Sequence, residues 1–124
     1  MAVGTVVITE KIINSVKKIK FAWTSGTGAE SGTASGETTN LYDGKIVVLT
    51  TVPGAVAVPT LNYDITITDE DGVDVLAGGG ANRSDTAIEN VTYASLGAVS
   101  KETLTINIAA AGSAKTGVAY LYIR

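Results

Sequence analysis

Alternation of apolar and polar residues at a period of two runs through this chain. In VKKIKFAWT, Ile19, Phe21 and Trp23 alternate with Lys18, Lys20 and Ala22, the mark of a strand with one buried and one wet face. Tyr63, Ile65 and Ile67 alternate with Asp64, Thr66 and Thr68, and Leu104, Ile106 and Ile108 alternate with Thr103, Thr105 and Asn107. Strands of this kind belong to antiparallel sheets. KIVVLTTV and GVAYLYIR differ in being apolar on both sides: Val118, Tyr120 and Tyr122 alternate with Ala119, Leu121 and Ile123. Such strands are expected to be covered twice, by the core and by a second surface.

Turn signals separate these runs at short spacing: Asp43-Gly44, Pro53-Gly54, Asp71-Gly72, the glycines at 78–80, and Gly112-Ser113. Short strands so punctuated predict an all-β fold, an antiparallel β-sandwich of jelly-roll type, in one domain spanning 1–124. At most one short helical turn is expected, at Thr86-Ala87-Ile88-Glu89, which has the Thr-x-x-Glu spacing of a capping box. Residues 25–40, rich in Gly, Ser and Thr, leave open a loop, an extended arm or a weak edge strand.

The acidic stretch NYDITITDEDGVDVLAGGGANR invites a chemical reading. Its pattern predicts a hairpin, with Tyr63 to Thr68 and Val73 to Leu76 joined by Asp69-Glu70-Asp71-Gly72 and glycine supplying the positive φ. A calcium loop starting at Asp69 would need an oxygen ligand where Val73 stands. Asp64 alternates away from Tyr63 and Ile65, so it is expected to be solvated and no buried acid pair for glycoside cleavage results. The triple glycine lacks the Lys-Ser/Thr of a phosphate loop. A structural turn, with no metal and no cofactor, is the expectation.

Composition removes further chemistry. The chain has no Cys and no His, so disulfides, thiolate nucleophiles, the common zinc sites and His-based acid–base catalysis are excluded. Twelve acids against nine bases argue against nucleic acid as a partner. No apolar run has the length of a membrane span, and Met1 to Thr9 lacks the pattern of a signal peptide, which points to maturation in a cytoplasm. No enzyme is expected.

Two groups remain as candidate contact residues. The lysines Lys11, Lys17, Lys18 and Lys20 concentrate positive charge in an acidic protein, and Lys17, Lys18 and Lys20 are assigned to a docking edge for an acidic partner. Tyr120 and Tyr122 lie on the doubly apolar C-terminal strand, which is what an oligomer interface would use. Trp23 shares a face with Ile19 and Phe21 and is expected in the core, not on a sugar-binding platform.

The segments FAWTSGTG, TTNLYDGKIVVL, NYDITITDEDGVDVLAGGGANR and GVAYLYIR together resemble small structural proteins encoded among the head genes of tailed bacteriophages. The resemblance runs from about Trp23 to Arg124 and consists of strand and turn features, with no catalytic signature. It implies a virion component. A capsid-decorating or cementing protein on the virion surface follows as the expectation: it is made in the host cytoplasm, binds the major capsid protein, and self-associates as a homotrimer ahead of a dimer. A tail or head–tail connector component, or a receptor- or carbohydrate-binding module, is the alternative.

Overall fold

The structure, a computed structural model, describes residues 3–12 and 15–124. Among these, nine strands form: β1 (Thr5–Lys11), β2 (Lys17–Thr24), β3 (Ala34–Glu37), β4 (Tyr42–Pro53), β5 (Asp64–Thr68), β6 (Glu89–Thr92), β7 (Ala98–Glu102), β8 (Thr105–Ala109) and β9 (Thr116–Ile123). The larger sheet runs β1-β2-β9-β4-β6, with β7 also pairing β4, and the smaller runs β3-β8-β5; every pairing is antiparallel. The pairs are nested: β2 meets β9, β3 meets β8, and β4 meets β7. Rolling one long hairpin over itself gives that nesting and places successive pairs in facing sheets, which is a jelly roll. The all-β sandwich expected from alternation is therefore the observed fold.

The alternating residues fill its interior. Ile19, Phe21 and Trp23 from β2, Ala119, Leu121 and Ile123 from β9, Ile65 and Ile67 from β5, and Ile106 and Ile108 from β8 are all buried in one cluster. Each large aliphatic side chain so removed from water contributes about 1.5–3 kcal/mol. Strand β4 keeps to this face only because its register against β9 shifts between Ile46 and Val48. The extra residue turns both Ile46 and Leu49, three positions apart, into the core, as a β-bulge does.

Several local expectations are corrected. Asp43-Gly44 is not a turn but lies inside β4. Strand β9 is not covered twice: it is the middle strand of the larger sheet, and Val118, Tyr120 and Tyr122 are half-exposed on its outer side. Thr86–Glu89 is not helical. Ser84 Oγ takes the amides of Thr86 and Ala87, and Glu89 Oε1 accepts the Ser84 amide at 2.7 Å, so the capping groups close a turn that leads into β6. The short helical turns are two 3-10 turns, Gly28–Glu30 and Tyr93–Ser95. Residues 25–40 include an edge strand, β3.

The acidic stretch contains the expected turn without the expected second strand. Gly72 has φ of 79°, and Asp69 accepts the Gly72 amide on its carbonyl while Oδ1 accepts Asp71 and Val73. Beyond it the ladder stops after one bridge, Thr68 to Asp74. Asp74 diverts the backbone: its carboxylate accepts the amides of Ile67, Leu76 and Gly78 at 3.0–3.1 Å. An Asp side chain that satisfies three amides competes directly with strand pairing. The chain then folds back along β5, and Ile65 donates to the Gly80 carbonyl at 2.8 Å. Gly80 permits that approach, because a Cβ there would lie 2.1 Å from the Ile65 carbonyl oxygen.

Candidate binding face

The outer face of the larger sheet brings together residues that lie far apart in the chain. Register sets three rows across β1, β2, β9 and β4: Lys11–Lys18–Tyr122–Val48, Thr9–Lys20–Tyr120–Thr50, and Val7–Ala22–Val118–Val52. The first two rows are cationic and aromatic, and the third is apolar. Lys18 Nζ sits 4.9 Å from the Tyr120 ring centroid and 5.7 Å from that of Tyr122, within cation–π range. Thr9, Lys11, Lys18, Lys20 and Tyr120 line a hollow of about 300 Å³. A shallower hollow of about 530 Å³ lies over the apolar row, with Val7, Ala22, Val52, Pro53 and Val118 in its lining.

Charge on this face is unbalanced. Lys11 and Lys18 are directly opposite across the β1–β2 ladder, an arrangement that costs stability in an isolated sheet. Neither they nor Lys20 has a carboxylate within ion-pair distance among the described residues, where the ion pairs are Lys17–Asp43 and Arg83–Glu89. An uncompensated patch of this kind attracts an anionic or electron-rich surface.

Of the five contact residues expected from sequence, Lys18, Lys20, Tyr120 and Tyr122 are neighbours here. Lys17 is not part of the group: it opens β2 opposite Ile123, and its amine donates to the Asp43 carbonyl at 2.8 Å and pairs with Asp43 Oδ1 at 3.3 Å. Being odd-numbered like Ile19 and Phe21, it has the wrong parity for the lysine face. Lys11 and Thr9, together with the apolar row, complete the face. Lys11 already stood with the lysines in the sequence, but its place on this face, like that of Thr9 and Val7, emerges only when β1 is laid against β2.

Of the other aromatic residues, Phe21, Trp23, Tyr42 and Tyr63 face inward, while Tyr93 is exposed. Trp23 is buried, with its ring 5.3 Å from that of Tyr63. Tyr42 is also buried and donates to Glu10 Oε1 at 2.6 Å.

The carboxylates serve the backbone. Asp64 accepts the Asn82 amide, Glu70 that of Thr103, and Asp69 and Asp74 the amides named above. Asp69 and Asp71 also stand near Glu102 of β7, with one carboxylate oxygen from each within 4.8 Å of the others. Slight desolvation, then the charges of Asp69, Asp71 and Glu70, raise the Glu102 pKa. Sequence reasoning missed Glu102 because only strand pairing brings it to the turn.

The chain matches no family model and no curated protein. Among solved structures it is similar to one from a study of carbohydrate-binding modules of the β-sandwich superfamily, at 16% identity and a TM-score of 0.33. That match covers 99% of this chain and 54% of the other. It is also similar to a chain of infectious bursal disease virus, Gx strain, at 10% identity and a TM-score of 0.30, covering 98% of this chain and 32% of that one. This chain therefore spans about half the length of the first and a third of the second, and TM-scores of this size assign it to neither group.

Proposed function

We propose that this protein is a virion structural component that decorates or cements a tailed-phage capsid by binding the lattice of the major capsid protein, as a self-associating, non-enzymatic unit on the virion surface. The observation that carries the reading is the lysine face without ion pairs among the described residues, Lys11, Lys18 and Lys20 beside Tyr120 and Tyr122, presented across β1, β2 and β9 of the larger sheet. A repeated shell would offer each copy the same docking surface, acidic if it complements these lysines, so that modest contacts would sum to strong reinforcement. The likeness of the strand and turn segments to phage head proteins supports the same reading. Assembly in the host cytoplasm accords with the absence of cysteine.

Bare capsids mixed with purified protein test it. Changing Lys11, Lys18 and Lys20 to Glu is expected to lower co-sedimentation affinity by about tenfold or more. Lys17→Glu, whose partner is Asp43, should change it little. Capsids carrying the protein should release their genome at a higher temperature than bare ones; equal heat resistance would overturn the cementing role. Binding to isolated tails or connectors in place of capsids would move the protein to those structures.

A carbohydrate-binding role is the second reading, favoured by the half-exposed Tyr120 and Tyr122, whose rings could stack on sugar faces. A glycan array separates the two: retention of a glycan that is lost in Tyr120→Ala, with no capsid binding, would support it.

A further inference from the structure

Five strands lie at sheet edges, β1, β6 and β7 in the larger sheet and β3 and β5 in the smaller. Strands β3 and β6 are four residues long and β7 is five. The edge of β5 is covered by its own chain: the Ile65 amide goes to Gly80, the Ile67 amide to Asp74, and Val75 and Arg83 donate to the Ile67 and Tyr63 carbonyls. Short length and a covering loop are recognised ways of preventing edge-to-edge pairing.

The β1 edge is longer, and the segment packed against it meets its inward face: a Cβ on Gly4 would lie 2.0 Å from the Thr33 carbonyl oxygen, and one on Gly36 would lie 3.0 Å from Val6 Cβ. Strand β1 is seven residues long, lacks proline, and pairs with β2 in unbroken register from Thr5 to Lys11. No backbone hydrogen bond of residues 3–12 leads to any other described segment. Its inward charge, Glu10, is occupied by five hydrogen bonds from Thr39, Asn40 and Tyr42 of the same chain and does not repel a newcomer. Val7 is 68% exposed on it, at the end of the apolar row Val7–Ala22–Val118–Val52.

We propose that the β1 edge is a homodimer interface, in which β1 of a second copy pairs antiparallel with β1 about a two-fold axis near Val7. Three features select this occupant. Both charges of the strand, Glu10 and Lys11, lie at one end, so antiparallel pairing puts the two copies' charges at opposite ends of the ladder, whereas parallel pairing would stack like on like. A two-fold near Val7 sets the two Val7 side chains together and Val6 beside Ile8 of the second copy, apolar against apolar. It also joins the two apolar rows into one strip across the dimer. The contact is isologous and closes at two copies, which moves the dimer ahead of the trimer expected from sequence. The inference stands independently of the virion reading.

The absence of cysteine makes the test clean. Val7→Cys is expected to cross-link to a dimer with a short thiol-reactive linker, while Ser113→Cys, on the exposed connection into β9, stays monomeric under the same treatment. Sedimentation of the unmodified protein at tens of micromolar should give a dimer, and Val7→Lys, which puts two amines at the axis, should weaken it by about tenfold or more. A monomer, a trimer, or a dimer unaffected by Val7→Lys with no Val7→Cys cross-link would overturn the proposal. If Val7→Lys fails to fold, the cross-linking comparison decides alone. Pairing with a shell protein strand instead would appear as a monomer whose Val7→Cys cross-links only to capsid subunits, which also overturns it.

Discussion

Two glycines in one loop illustrate different constraints. Gly72 has φ of 79° with nothing near an added Cβ, so its cost of substitution is conformational. Gly80 has an ordinary φ but no room, because the Ile65 carbonyl oxygen lies 2.1 Å from where a Cβ would stand. Gly72→Val is therefore expected to cost about 1 kcal/mol or more. Gly80→Val should cost more, about 3 kcal/mol, since it also breaks the Ile65 hydrogen bond that seals the β5 edge. Urea titration of both variants checks the ranking; equal losses would show that steric approach at Gly80 is not limiting. Asp71-Gly72 was legible in sequence because turn chemistry is local. The reason for the triple glycine was not, because the atom it must avoid belongs to a residue fifteen positions earlier.

Among the elements, β1 is joined to the segment that faces it through one side chain in addition to its ladder with β2 and the packing of Val6 and Ile8. Glu10 ties it to the segment 39–42 through the amides and side chains of Thr39 and Asn40 and through the Tyr42 hydroxyl. Burial acts to raise the Glu10 pKa, but these hydrogen bonds together hold it below the usual 4.5. A carboxyl with a depressed folded value stabilises the protein above its unfolded pKa, and that stability is lost as pH falls through the folded value. Glu10→Gln is accordingly expected to lower the melting temperature at neutral pH, with the gap to the native chain closing as pH drops below about 4.5. A gap that stays constant with pH would assign the effect to packing. Alternation identified β2, β5 and β8 and their inward faces, and it located β9 but took both of its faces to be covered. It misjudged β4, where the bulge breaks the period, and it paired β5 with a strand that Asp74 prevents.

At the level of the whole molecule, two buried phenols make the core sensitive to alkali. Burial, with Glu89 adding to it and Arg83 opposing, pushes Tyr63 from 10.0 up to about 12. Tyr42 is raised as well, by burial and then by its bond to Glu10. The stability tied to a raised value is complete below the unfolded pKa and disappears as pH climbs through the folded one, so for Tyr63 the loss falls between 10 and about 12. The Tyr63 hydroxyl is buried without a hydrogen-bond partner among the described residues. Tyr63→Phe should thus be nearly neutral at pH 7 and should flatten the alkaline limb of the denaturation profile. A large loss at neutral pH would point to a bonded hydroxyl. The two-sheet class could be read from the chain, whereas the binding face could not be assembled from it: Lys18 and Tyr122 become neighbours only through the β2–β9 ladder.

That ladder also dictates an order of events during folding. Strand β9 supplies the middle of the larger sheet, yet its partners β2 and β4 lie far back along the chain. The β1–β2 hairpin can close early by local contacts, but β2 and β4 have no strand between them until β9 arrives, and most of the chain must be looped out to bring it there. The entropy of that closure is spent before the central contacts form, which makes folding slow for a protein of this size. While it waits, the hairpin exposes both of its edges, so the crowded interior of the producing cell meets a sticky half-sheet before it meets the finished protein.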